Sequence, residues 1–491
     1  MKKIIKNKKI RVRFAPSPTG LLHIGGARTA LVDYLFTKSM EGDFILRIDD
    51  TDKDRLVKNS LSDIMESLKW LSIIWDEGPK IGGPFAPYYQ SKRLSIYKKY
   101  AEELVRKGKA YYCFCTPARL EILKKTQIAQ SIAATKYDGR CRNITTREVT
   151  DLKKSRKDYV IRFKTPKKEK IRFNDLLKGV IEFHNVMDDF VIVRTDGYPT
   201  YHLASVIDDH LMRISHIIRG DEWISSTPKH ILLYEAFGWN CPYFVHLPTI
   251  LSIKGGKLSK REGAVSIKDF RDKGYLPEAI INFIIFLGWN PGTEKEIFSL
   301  KELIKAFSME KVGNSPSIFD VNKLNYLNSY YIRKKTDREL LRILKNFSPT
   351  ITKIAPESYL LKVIKVVKYR MATLNDFFEL TSYFFRLPEY NSNVLVFGKS
   401  NYQKTTTGLN ASLSVLDNFP ESKWSEDYLN KLLADIVQEN NLSNGDVFWP
   451  IRAALSGLEA SPSPGELLFV LGKKESLKRI KKAIDLLKNA K

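Results

Sequence analysis

A chain of 491 residues with 43% hydrophobic and 11% aromatic side chains has material for roughly two to four packed domains and is not extensively disordered. No apolar run reaches the ~20 residues of a membrane span, the opening "MKKIIKNKKIRVRF" lacks a secretory h-region, and four cysteines are too few for a disulfide framework, so a reduced, cytoplasmic protein is expected. The net charge of +26 points to a polyanionic partner, nucleic acid before a membrane surface, although lysines spread along the whole chain also fit plain solvation. The first element is "IRVRF" (10–14); its alternation predicts a half-buried strand, with Val12 and Phe14 inward and Arg11 and Arg13 outward. "APSPTGLLHIGG" (15–26) then reads as a turn into a helix carrying Ile24, Ala27, Leu31 and Leu35, with Gly42 as its C-cap. "FILRI" (44–48) is a strand, and "SLSDIMESLKWL" and "YKKYAEELVRKG" are amphipathic helices. This alternation predicts a doubly wound parallel sheet.

From 113 to about 198 the pattern changes to extended segments such as "DYVIRFKTP" and "DDFVIVRTDG", an inserted α/β module that splits the sheet. Strand–helix alternation returns from "YPTYHLASVIDDHL" to about residue 250. From about 275 onward helical periodicity dominates, most plainly where Leu477, Ile480, Ile484 and Leu487 share one face. The fold class expected is α/β, a Rossmann-type sheet split by an α/β insertion and followed by all-α domains.

Three segments carry chemistry. A helix N-terminus presents unpaired N–H groups to an anion. His23, in a turn stiffened by Pro16 and Pro18, would sit where a phosphate could lie, although a structural turn fits the residues equally. In "SIKGGKLSKREG" (252–263), Gly255 and Gly256 precede Lys257, Ser259, Lys260 and Arg261, which suits a hinged cationic clamp over a polyphosphate or a solvated basic loop. In "CFC" the side chains of Cys113 and Cys115 share a strand face, and "YDGRC" brings Cys141 back with Tyr137 four residues earlier. Three thiolates and one further ligand could close a tetrahedral zinc site; three free thiols are the alternative.

"HIGG" and "KLSKR" together resemble the two signature motifs of class I aminoacyl-tRNA synthetases. With "RFAPSPTG", "RIDDTD", "YPTYHLA", "IIRGDEW" and "WPIRAALSG" in collinear order, the chain resembles the bacterial glutamyl-tRNA synthetase family over nearly its whole length. The resemblance implies a ligase that uses ATP with Mg2+ to activate L-glutamate and transfers it to tRNA(Glu), with tRNA(Gln) open as a second acceptor, acting as a cytoplasmic monomer. It implies that His23, Gly25, Glu222, Trp223 and Lys260 bind ATP, with Lys257 and Arg261 helping the loop close. Arg13 and Arg219 would grip glutamate carboxylates, Ala15, Ser17, Tyr201 and Ser205 would shape the pocket, and Asp49 would take the ammonium group. Two positions depart from the family: Asp49 stands for the usual Glu, one methylene shorter and open to a bridging water, and Ser205 for a longer polar residue. Family members carry zinc on Cys-x-Cys…Tyr-x3-Cys, here Cys113, Cys115, Tyr137 and Cys141. Arg370 matches a position that discriminates against tRNA(Gln), with a phosphate contact or a solvated side chain as the alternative. The implied domains are 1–112 and 199–255 (the two catalytic halves), 113–198 (acceptor-end insertion), 256–333 (stem contact) and 334–491 (anticodon binding). A glutaminyl-tRNA synthetase is disfavoured by the helical C-terminal third, a truncated relative by the length after residue 275, and an inactive tRNA binder by the retained cations of both phosphate motifs.

Overall fold

The computed structural model describes residues 9–132, 135–155, 157–184, 187–256, 258 and 265–489. They fall into two units, Met1–Arg271 with Pro277–Val321, and Asp272–Leu276 with Asn322–Lys491. The first begins with β1 (Arg11–Phe14), α1 (Ile24–Ser39), β2 (Asp43–Leu46), α2 (Ser60–Trp70) and α3 (Leu94–Arg106). There follow β3 (Ala110–Cys113), α4 (Pro117–Ala129), α5 (Thr146–Lys154), β4 (Val160–Phe163), the hairpin β5 (Lys170–Asp175) and β6 (Gly179–His184), and β7 (Val191–Val193). The chain continues through α6 (Tyr201–Leu211), β8 (His216–Gly220), α7 (Thr227–Phe237), β9 (Tyr243–Leu247) and β10 (Ile250–Ser252). It then forms α8 (Ile267–Asp272), α9 (Pro277–Phe286), α10 (Leu300–Ala306) and β11 (Ser317–Phe319).

The main sheet has the order β2-β1-β8-β9-β5-β6. Its first five strands are parallel, and β6 closes the edge antiparallel to β5. Helix-covered parallel sheets are buried on both faces, and this corrects the half-buried reading of the first strand. All four residues of β1 are buried. Its basic face is tolerated because it meets carboxylates: Arg11 pairs with Asp43 at 2.6 Å and Glu77 at 2.8 Å, and Arg13 with Asp209 at 3.0 Å. Gly42 is not the C-cap of α1 either; that is Met40. Gly42 is instead required by close approach, since a Cβ there would lie 2.4 Å from the Ile10 carbonyl oxygen.

Within residues 113–198, β4 and β7 complete a three-stranded antiparallel sheet with β3. The β5–β6 hairpin lies outside that small sheet and joins the main one, Asp175 pairing with Phe244 of β9. Among its described residues the second unit is helical and contains no strand. Its last helix, Pro464–Lys488, starts at a capping box of Ser463 and Glu466 and buries Leu477, Ile480, Ile484 and Leu487 as their spacing predicts. Periodicity did not reveal its break at Gly472, a left-handed residue (φ 75°) inside the helical run. No described helix is long and apolar enough to cross a membrane.

Candidate active site and cysteine cluster

The turn between β1 and α1 is the floor of a cavity of about 550 Å3, at the carboxyl ends of the parallel strands, where open α/β sheets bind ligands. Backbone hydrogen bonds fix the turn: Asp49 N–H donates to the Pro16 carbonyl at 3.1 Å and Val57 N–H to Pro18 at 3.0 Å. His23 is the N-cap of α1, and its Nδ1 accepts from Gly25 N–H at 3.2 Å. A neutral ring therefore carries its proton on Nε2.

Arg13, Ala15, Ser17, Asp49, Tyr201 and Arg219 all line this cavity. So do His23, Gly25, Glu222 and Trp223, with the Trp223 ring 4.6 Å from that of Tyr201. Ser205 does not line it; the residue is buried and its hydroxyl faces Asp209 Oδ2 at 3.5 Å. Lys257, Lys260 and Arg261 lie outside the described residues. The flanks of their segment do not: Leu258 lines the cavity, and the Val265 carbonyl accepts from Ile24 N–H at 2.8 Å. Gly255 and Gly256 both have left-handed φ (84° and 78°), so the approach to that segment needs glycine.

Of the buried arginines that line the cavity, Arg13 and Arg219 sit in different electrostatic settings. Burial opposes the Arg13 charge, but Asp209 outweighs it and raises the pKa. Asp209 Oδ1 also accepts from Arg47 Nη1 at 2.6 Å, and Arg47 holds Asp49 with Nε at 2.8 Å and Nη2 at 3.3 Å. Asp49 is thereby drawn back onto Arg47, and burial pushes its carboxyl up to about 6. Arg219 has neutral partners: His246 Nε2 at 3.1 Å, Tyr201 Oη at 3.1 Å and Thr227 Oγ1 at 2.8 Å. Its pKa is lowered by burial. His202 and His230 behind Tyr201 are kept neutral by burial, His202 pushed down to about 4. With Arg13, Arg28 and Arg219 facing only Asp49 and Glu222 in its lining, the pocket suits a small zwitterion with an extra carboxylate.

The motifs assign no role to Arg28, Asp209 or His246, nor to Arg47, although Arg47 opens "RIDDTD". Arg28 is buried in the cavity wall, donating to the carbonyls of Leu287 (2.9 Å) and Pro248. A signal existed for Asp209: "VIDDHL" puts two acids on an otherwise apolar helix, which demands buried cations. Nothing local marks His246, whose role comes from strands distant in sequence.

The second cluster sits at the end of β3. Cys113, Cys115 and Cys141 bring their Sγ atoms within 4.8 Å of one another. Tyr137 Oη lies 3.4 Å from the sulfurs of Cys113 and Cys115. Burial opposes ionisation of Cys113, but hydrogen bonds from Tyr137 and Arg162 lower its pKa, whereas burial pushes Cys115 up to about 11. Three thiols and a phenol around one point are a donor set that fits Zn2+. In the second unit, Arg370 pairs with Glu466 at 3.0 Å and donates to the Val366 carbonyl at 2.6 Å.

Residues 9–326 match the family described as tRNA synthetases class I (E and Q), catalytic domain, and residues 326–484 match an anticodon binding domain. The chain is 45% identical over 488 residues to a glutamate–tRNA ligase of Borrelia recurrentis, covering 98% of this chain and 96% of that protein. It is 44% identical over 489 residues to the glutamate–tRNA ligase of Clostridium novyi, covering 98% and 99%. A crystal structure of a glutamate tRNA ligase from Elizabethkingia meningosepticum in complex with its amino acid superposes with a TM-score of 0.89 at 38% identity, covering 97% of this chain and 99% of that one. With its catalytic and anticodon-binding regions both matched, the chain belongs to the glutamate–tRNA ligases of the class I glutamate/glutamine synthetase family.

Proposed function

We propose that the cavity between β1, α1 and β8 activates L-glutamate with ATP and Mg2+, and that the product is transferred to the terminal adenosine of tRNA(Glu). The observation that carries this reading is the convergence of buried Arg13 and Arg219 beside a histidine-capped helix N-terminus in one cavity. The α-carboxylate of glutamate is the nucleophile; it is already anionic and needs no general base. It attacks the α-phosphorus, the bond to the bridging oxygen breaks, and pyrophosphate leaves with that electron pair. Catalysis is then positioning together with stabilisation of charge on the phosphoryl oxygens.

His23 at the start of α1 takes the phosphates, and Lys257, Lys260 and Arg261 assist from their loop. Glu222 and Trp223 bound the adenosine. Arg13 and Arg219 hold the side-chain carboxylate, because a nucleophilic carboxylate clamped by two guanidiniums would be a poor one. Asp49 receives the ammonium group, through a water where its short side chain falls short. Residues 113–198 hold the acceptor end, 256–333 the stem and 334–491 the anticodon, with Arg370 a candidate reader of tRNA(Glu) against tRNA(Gln). Zn2+ held by Cys113, Cys115, Cys141 and Tyr137 would supply a structural crosslink. Glutamate-dependent exchange of labelled pyrophosphate into ATP, run with and without tRNA, tests the reading. Exchange that depends on glutamate supports it, and none under either condition rejects it. Parallel charging of tRNA(Glu) and tRNA(Gln) decides the range of acceptors.

A further inference from the structure

Arg219 is a buried guanidinium whose described partners are all neutral. Its plane is held by bonds from all three nitrogens, and the one at Nε runs to His246 Nε2 at 3.1 Å. An arginine Nε always carries hydrogen, so His246 Nε2 must be the unprotonated nitrogen and Nδ1 must carry the proton. Nδ1 faces Asp175 Oδ2 at 2.7 Å. Both side chains of that pair are fully buried.

Asp175 is itself held from several directions. Its Oδ1 accepts from Leu177 N–H and Lys178 N–H, both at 2.9 Å, and its Oδ2 also accepts from His246 N–H at 3.1 Å. It is the last residue of β5, so its carboxylate reaches the main sheet from the hairpin of the 113–198 segment. Asp175, His246 and Arg219 thus form a carboxylate–imidazole–guanidinium row across three neighbouring parallel strands, ending at the cavity.

We propose that Asp175 and His246 are positioning residues for glutamate recognition: they help fix the plane of Arg219 and leave its charge for the substrate carboxylate. This rests on the reading of Arg219 as a glutamate ligand. A direct acid partner such as the one Arg13 has would hold Arg219 as firmly but compensate its charge beforehand. A neutral imidazole backed by a carboxylate one residue away avoids that. The carboxylate of Asp175 accepts on both oxygens, which an Asn amide cannot do.

Steady-state charging with the full-length protein tests this, using Asp175→Asn, His246→Ala, His246→Gln and, as a reference, Arg219→Gln. Asp175→Asn and His246→Ala should raise the KM for glutamate about tenfold or more while the KM for ATP and kcat stay within about threefold. His246→Gln, which retains an acceptor for Arg219, should recover part of the loss. A glutamate KM within about twofold of the parent in both Asp175→Asn and His246→Ala, while Arg219→Gln is impaired, overturns the positioning role and leaves the Arg219 reading intact. An unimpaired Arg219→Gln rejects that reading itself. Should a variant fail to fold, nitrogen NMR of the histidine-labelled parent, with His246→Gln or another substitution at 246 used only for assignment, still decides. A neutral ring protonated on Nδ1 at pH 7 is expected, and an imidazolium or the Nε2–H form overturns the proposal.

Discussion

A single oxygen, Asp209 Oδ1, accepts from Arg13 Nε at 3.0 Å and from Arg47 Nη1 at 2.6 Å. All three side chains are at most 5% exposed. Removing one member of a buried charged group costs about 3–5 kcal/mol, because the partners stay buried without compensation. Asp209→Asn should therefore lower stability in urea by about this amount. It should also raise the KM for glutamate, since Arg13 loses the contact that orients it. Equilibrium unfolding and charging kinetics on one preparation check both.

Asp49 gives a pH dependence with a defined sign. Burial raises its carboxyl in the folded protein from 3.8 to about 6, against the pull of Arg47. Between those values the native state binds more protons than the unfolded one, so this group's contribution to stability falls as pH rises from about 4 to about 6. Ammonium binding needs the ionised form. The kcat/KM for glutamate should then drop about tenfold per pH unit below about pH 6 at saturating ATP. Asp49→Asn should be slower at neutral pH and nearly flat through that window; a parent profile that is flat there would contradict the assignment.

His23→Ala should depress kcat far more than it raises the KM for glutamate. A contact made to charge developing in the transition state is worth about 3–4 kcal/mol, or about 10²–10³ in rate. Lys260→Ala should behave alike. Single-turnover pyrophosphate release separates this from slow product release, and near-parent turnover with a raised KM alone would remove His23 from the phosphate side.

For the cysteine cluster, about one zinc per chain is expected in gently purified protein. Strong chelators should remove it and lower the melting temperature, with three newly titratable thiols. Tyr137→Phe should weaken retention, while a cysteine-to-serine change at 113, 115 or 141 should abolish it. Elemental analysis reads both results directly.

The alternation of strands and helices, the insertion and the helical second unit were legible because each rests on local periodicity. So was the His23 turn, where prolines, glycines and the following helix stand together. The burial of Arg11 and Arg13 was not legible: it depends on Asp43, Glu77 and Asp209, up to 196 residues away. Ser205 was misplaced for a local reason: it lies one helical turn after Tyr201 and turns its hydroxyl to Asp209, four residues on in the same helix. His246 was invisible because Asp175 and Arg219, which it links, lie on other strands and belong to neither signature motif.

The strand order of the main sheet also sets a timetable for synthesis. β1 rests against β8, and Arg11 N–H donates to Ser215 Oγ across 204 positions of sequence. At about 5–20 residues per second, roughly 10–40 s pass between the emergence of one strand and its neighbour. Throughout that interval β1 and β2 have their mutual pairing, α1 and the nearby 76–77 segment, which already meets Arg11 through Glu77, while Arg13 lacks the aspartate of α6. The main sheet of a nascent chain therefore presents β1 as an open edge until the insertion and β8 have been made.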